Sequence, residues 1–200
     1  MRILKKIFEW IWPTILVLII MGAIKTYIVE PVVVNGPSMA PNLSNKQIIP
    51  LIKDYKLSRG DVIVFNAYPE DPKLTSNEKY VKRIIGIPGD TISSKDGSLY
   101  VNGRLVDQSY ISYDQRIETG NWDLKSLATD NNWKISKKVV NKVPKNEYFV
   151  LGDNRLVSND SRYWGFVPKN KISGRIYIPF WNSKSQQKNV NDLPNNFFKK

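Results

Sequence analysis

Ser38 stands in Asn35-Gly36-Pro37-Ser38-Met39-Ala40-Pro41, and Lys82 follows in Tyr80-Val81-Lys82-Arg83-Ile84-Ile85-Gly86, in a chain with no histidine and no cysteine. Without an imidazole the Ser-His-Asp relay is impossible, and without a thiol so is a cysteine nucleophile. A serine activated here needs another base, and a neutral lysine amine is the available one. The chemistry these residues could do is therefore acyl transfer through a serine and a lysine. Gly36-Pro37 and Ala40-Pro41 hinder regular ladder pairing and permit tight backbone approach. That puts Ser38 on a loop at a strand end, with its backbone N–H free to face an oxyanion. Spacing alone describes an ordinary turn serine equally well.

Lys82 shares one strand face with Tyr80 and Ile84, because side chains alternate along a strand. If that face points inward, burial disfavours the ammonium and lowers its pKa toward the range of a working base. Alternation leaves the other possibility open, a solvated edge lysine beside Arg83. A third stretch, Gly152-Asp153-Asn154-Arg155-Leu156-Val157-Ser158-Asn159-Asp160-Ser161-Arg162, packs two carboxylates, two arginines and two serines ahead of the aromatic Tyr163-Trp164-Gly165-Phe166. It suits a salt-bridged scaffold that holds a hydroxyl in place, or else a surface loop of weak ion pairs.

These residues need elements to position them. After residue 29 the pattern is mostly β: residues 32–34, 48–52, 61–65, 80–85, 98–101, 147–151 and 171–178 are short β-branched or aromatic runs. Turn signals such as Arg59-Gly60-Asp61, Pro88-Gly89-Asp90, Lys95-Asp96-Gly97 and Asn102-Gly103 separate them. The fold class expected is a twisted antiparallel β catalytic domain over 30–181, with a smaller, more polar insertion at about 106–143 in which Trp122 and Trp133 are isolated. Residues 182–200, rich in Asn, Lys and Gln, read as a mobile polar tail.

Before the β domain, residues 11–24 carry no charge, and apolar neighbours extend the run to 7–29. That is long enough for a transmembrane helix, which needs about 20 residues. A cleaved signal peptide ending near Met21-Gly22-Ala23 is the alternative. The Ser38-bearing sequence follows the apolar run directly, which favours a retained single-pass anchor over 1–29. Arg2, Lys5 and Lys6 before it place the N-terminus in the cytoplasm and the rest outside the cell membrane.

The net charge of +12 calls for a polyanionic partner. Membrane lipid is favoured over nucleic acid, because the basic start abuts the apolar run and no nucleic-acid-binding signature is present. With neither His nor Cys, the usual zinc, haem and iron–sulfur ligand sets are gone, and the acidic residues show no EF-hand spacing. No metal and no cofactor are expected.

In this order and with these neighbours, the stretches 35–43, 59–65, 80–90 and 152–167 resemble type I signal peptidases, the Ser-Lys proteases that remove signal peptides from exported preproteins. The single anchor resembles the Gram-positive form. The resemblance implies that Ser38 is the nucleophile and Lys82 the general base. It implies that Ser158 orients the lysine amine, and that Asp153, Asp160 and Arg162 occupy structural salt-bridge positions. It places Val34, Met39, Tyr80 and Val81 around pockets for small residues, which suits Ala-X-Ala sites. Gly36 departs from members that carry a serine there, so one oxyanion donor of the family is missing. Two rivals stand beside this reading: a self-cleaving repressor-type Ser-Lys protease, which the anchor disfavours, and a catalytically silent assembly factor or peptide-binding module, which the retention of Ser38 and Lys82 disfavours.

Overall fold

Short β-branched runs separated by turn residues pair here into two antiparallel sheets. The computed structural model describes residues 2–27, 29–53, 56–133 and 140–199. An N-terminal helix, α1 (Arg2–Tyr27), leads into β1 (Val29–Val33), β2 (Ile48–Ile52), β3 (Val62–Asn66) and β4 (Lys79–Gly86). A second group follows: β5 (Ile92–Lys95), β6 (Ser98–Val101), β7 (Arg104–Leu105), α2 (Tyr113–Ile117), β8 (Trp122–Asp123) and α3 (Leu124–Asp130). The chain then returns through β9 (Glu147–Leu151), α4 (Ser161–Trp164), β10 (Val167–Pro168), β11 (Ile172–Ile176) and α5 (Lys184–Gln187).

The larger sheet has the order β1-β2-β11-β3-β4-β9-β10, and the smaller one β7-β6-β5-β8. β3 and β4 are central, and β3 is buried on both faces, so four consecutive apolar residues, Val62 to Phe65, fill the two layers beside it. On one side Ile63, Phe65, Ile84, Val150 and Trp164 pack together. On the other, Val32, Val34, Met39, Leu51, Val64 and Val81 form a core under β1 and β2. The smaller sheet closes its own core against Ile85, Phe149 and Leu151.

Three expectations change. The inserted unit begins at β5, not near residue 106: β5 and β6 pair with each other and with β7 and β8, and with no strand of the larger sheet. Alternation revealed those strands without revealing which sheet they join. Trp122 and Trp133 are not isolated, since both lie against Phe149, and Trp133 also meets Phe166 edge-on. Residues 134–139 of the expected insertion lie outside the described residues.

The polar C-terminal stretch is not a loose tail. Ser183 caps α5, a π-helical turn (Lys188–Asp192) and a 3-10 turn (Leu193–Asn196) follow, and Val190, Leu193 and Phe197 are buried. Three well-spaced apolar residues and several Asn and Gln amides suffice to dock a segment whose mean composition is polar. Within α1 the side chains from Glu9 to Gly22 are exposed. Among the described residues no helix is long and apolar enough to cross a membrane. Met1 and Ile28 of the expected anchor lie outside the described residues.

Candidate active site

Lys82 lies on β4 directly opposite Ile63 of β3, and its side chain is only 4% exposed. Both faces of β4 are buried: Lys82, Ile84 and the half-buried Tyr80 lie on one, and Val81, Arg83 and Ile85 on the other, so the alternative of a solvated edge lysine does not hold. Its Nζ donates to Ser38 Oγ at 3.0 Å and to the Val81 carbonyl at 3.2 Å. Among the described residues Lys82 forms no ion pair. Burial lowers its pKa to about 8, against the upward pull of Asp160, Asp153 and Asp71.

Ser38 sits in a turn just beyond β1. Ala40 N–H bonds the Pro37 carbonyl, and Asn154 N–H bonds the Ser38 carbonyl at 3.0 Å. Gly36, at φ +84°, adopts a backbone that L side chains disfavour, and its N–H is occupied by Asn45 Oδ1 at 2.9 Å. The Ser38 N–H makes no hydrogen bond among the described residues. A cleft of about 520 Å³ opens beside the pair, walled by Pro31, Val33, Tyr80, Val81, Val157 and Asn159. A larger cavity of about 920 Å³ lies by Arg59 and Phe198, touches neither Ser38 nor Lys82, and is not where this chemistry can occur.

The family described as signal peptidase, peptidase S26, matches the chain over residues 7–181. The chain belongs to this family. It is 35% identical to signal peptidase IB of Staphylococcus aureus (strain COL), over 94% of this chain and 96% of that protein. It is 37% identical to a probable signal peptidase I-2 of Synechocystis sp., over 79% of this chain and 66% of that protein. Among solved structures it is similar to a signal peptidase I from Enterococcus faecalis V583, at 33% identity and a TM-score of 0.48, covering 60% of this chain and 97% of that one.

In this signal peptidase family member the stretch that follows β9 supports the pair from behind. Asp153 takes Arg83 bidentately, Nε at 2.8 Å and Nη2 at 2.7 Å, and also accepts from Asn42 Nδ2 at 2.8 Å. Asp160 caps α4, accepts from Gly152 N–H at 3.0 Å, and pairs with Arg162 at 2.9 Å. Arg155, fully buried, donates to the Gly152 carbonyl, Gln108, Thr119 and Tyr110. Asp153, Asp160 and Arg162 are buried in ion pairs, so the alternative of a loop of weak surface ion pairs does not hold.

Three residues are placed differently. Val34 and Met39 are buried in the core under β1 and do not line the cleft, so of the four expected pocket residues only Tyr80 and Val81 do. The side chains of Val34 and Met39 pack in that core beneath the Ser38 turn. Ser158 Oγ is buried with no hydrogen-bond partner among the described residues, and so makes no hydrogen bond to the lysine amine.

Sequence reading also missed residues. Gly152 is required for close approach: a Cβ there would fall 2.1 Å from Ser158 Oγ and 2.6 Å from the Ser38 carbonyl. Asn42 joins the Ser38 turn to Asp153, and no local pattern marks it. Asp71, in Pro69-Glu70-Asp71-Pro72, looks like a turn residue, yet it is buried and binds Tyr80.

Proposed function

We propose that this chain is a membrane-anchored serine endopeptidase that removes signal peptides from exported preproteins after small residues, with Ser38 as nucleophile and Lys82 as general base. The observation that carries the reading is the 3.0 Å contact between a buried, unpaired amine and a serine hydroxyl at the floor of a cleft. At a pKa of about 8 a useful fraction of the amine is neutral near neutral pH, and its lone pair can then accept the Ser38 proton. Ser38 Oγ attacks the scissile carbonyl as its proton passes to Lys82. The ammonium then protonates the leaving amine, which expels the new N-terminus and leaves an ester on Ser38. In the second half Lys82 deprotonates a water, which hydrolyses the ester and restores the serine.

The unoccupied Ser38 N–H is the donor available to the oxyanion, because Gly36 supplies no hydroxyl and its own N–H is engaged. Ser158 holds the amine once Ser38 leaves it; a buried hydroxyl bonded to nothing, packed against Gly152, is the group free to do so. Substrate binds as an extended strand along β1. This strand is an edge of the larger sheet, paired only with β2, and Pro31 to Val33 line the cleft. Tyr80 and Val81 narrow the pocket for the residue before the cut, which suits Ala-X-Ala sites. The apolar run 7–29, uncharged over 11–24, anchors the domain as a single pass, with the basic start in the cytoplasm and lipid as the partner of the apolar surface.

Digestion of one secretory precursor, read by mass spectrometry of the new N-terminus, tests the reading. Wild type is expected to cut after Ala, Gly or Ser, and Ser38→Ala to leave the precursor intact. Cutting by the Ser38→Ala chain, or an intact precursor with the wild type, overturns it.

A further inference from the structure

The buried carboxylates of the described residues are Asp61, Asp71, Asp90, Asp153 and Asp160. Four of them face an arginine: Asp61 meets Arg175, Asp90 meets Arg59, Asp153 meets Arg83, and Asp160 meets Arg162. Asp71, 1% exposed, is in no ion pair among the described residues. Burying a carboxylate without a cation is unfavourable, so the fold must satisfy it in another way.

Its oxygens receive three donors from three segments. The Tyr80 hydroxyl donates to Oδ2 at 2.8 Å, the Asn159 amide donates to the same oxygen, and Lys73 N–H donates to Oδ1 at 2.9 Å. Tyr80 and Asn159 are both walls of the cleft that holds Ser38. The Tyr80 ring centroid is 5.0 Å from Lys82 Nζ, so the ring whose hydroxyl Asp71 holds presents its face to the amine.

We propose that Asp71 is a positioning residue for the reaction: through the Tyr80 hydroxyl it holds the aromatic ring against the Lys82 amine and stabilises the ammonium that forms there during acyl transfer. The inference rests on the Ser38–Lys82 reading. Its chemical logic is that of the aspartate in a Ser-His-Asp site, which orients the base and stabilises its cation without taking the proton. The carboxylates that favour a charged Lys82 are Asp160, Asp153 and Asp71. The first two are each neutralised by an arginine at 2.7 to 2.9 Å, which leaves Asp71 as the uncompensated negative charge. Burial, followed by the bond to Asp71, pushes the Tyr80 hydroxyl up to about 12, so it remains a donor throughout the working range.

The test uses the full-length chain in detergent and a secretory precursor, with wild type, Asp71→Asn, Tyr80→Phe and Ser38→Ala assayed across about pH 6 to 10. Asp71→Asn keeps the size and an acceptor for Tyr80 but removes the charge. It is expected to lower kcat about tenfold with little change in KM, and to move the rise of kcat/KM to lower pH by about half a pH unit or more. Tyr80→Phe is expected to lower kcat as well, and the double variant to fall little below the worse single one, because both changes act through one contact. Asp71→Asn with wild-type kcat and an unmoved pH profile overturns the proposal. A lower melting temperature with an unmoved profile overturns it too, because a purely structural role would do only that. If Asp71→Asn does not fold, Tyr80→Phe decides, and its full activity overturns the proposal. Wild type that leaves the precursor uncut, or Ser38→Ala that cuts it, brings down the dyad reading itself and is distinguishable on that ground.

Discussion

Lys82 and Arg83 are successive residues on β4 and are both buried, yet their environments are opposite. On one face of the strand Arg83 spends its donors on Asp153, the Gly60 carbonyl and the Asn189 carbonyl, and stacks on Tyr110 at 4.3 Å. Burial is the largest single influence and works against its charge, but Asp153, Tyr110 and Asp61 together outweigh it and the pKa is raised. On the other face Lys82 has a serine hydroxyl and one carbonyl, and burial wins. Arg83 is given a carboxylate in contact, whereas Lys82, the base in the proposed reaction, is denied one. The one-residue alternation of a β-strand is enough to separate the two tasks.

The largest effect that could break this comparison is on activity. Lys82→Arg keeps the charge but cannot supply a neutral nitrogen, and is expected to lower kcat/KM by at least about 1000-fold in a precursor-cleavage assay. Near-normal cleavage would show that the face facing Ser38 is not basic in function. For the wild type, kcat/KM should climb with pH through about 8.

Next is the architectural face. Asp153→Ala leaves Arg83 buried without its counter-charge and is expected to reduce unfolding free energy by about 3 to 5 kcal/mol, measured by denaturant titration. A change below about 1 kcal/mol would mean that Arg83 finds solvent and that the contrast with Lys82 is weak.

A smaller effect of opposite sign comes from Lys82 itself. Its ordinary value is 10.5 and its folded value about 8, so between these the unfolded chain holds more protons than the folded one. The strain of burying the amine is therefore fully present below about pH 8 and fades as pH rises toward 10.5. Lys82→Met should be more stable than wild type by about 1 to 3 kcal/mol at neutral pH, with the gap closing in alkali. A less stable Lys82→Met would show that the amine contributes structure after all.

The smallest expected change is Ser158→Ala. Its hydroxyl has no partner to lose, so stability should move by less than about 1 kcal/mol, while kcat falls about three- to tenfold if the hydroxyl steadies the amine during attack. Unchanged kcat would remove Ser158 from the mechanism and leave the scaffold to position Lys82 alone.

Much of the site was legible because its chemistry depends on residue types. Ser38 and Lys82 stand out in a chain without His or Cys, and the 152–162 stretch is dense in charge. The pocket residues were less legible: Val34 and Met39 have the right character for a cleft wall, but the same apolar character buries them in the core. Gly152 and Asn42 were illegible in role, since a glycine after a strand and an asparagine in a turn have many local uses. Their importance comes from Ser38 and Asp153, which are distant in sequence and adjacent only after folding.

What the sequence by itself determined is the list of possible chemistries, the β character after residue 29, and the strand face that Lys82 shares with Tyr80. These follow from functional groups and from the two-residue period of a strand, which are local properties. Only the tertiary structure decided that both faces of this strand are buried, with Lys82 meeting Ser38 and Arg83 meeting Asp153, that β5 and β6 leave the larger sheet for their own, that the polar C-terminal stretch docks beneath Arg83, and that Asp71 is buried beside Tyr80 in no ion pair among the described residues. Burial and charge pairing are properties of which segments meet, and no local window of sequence contains both partners.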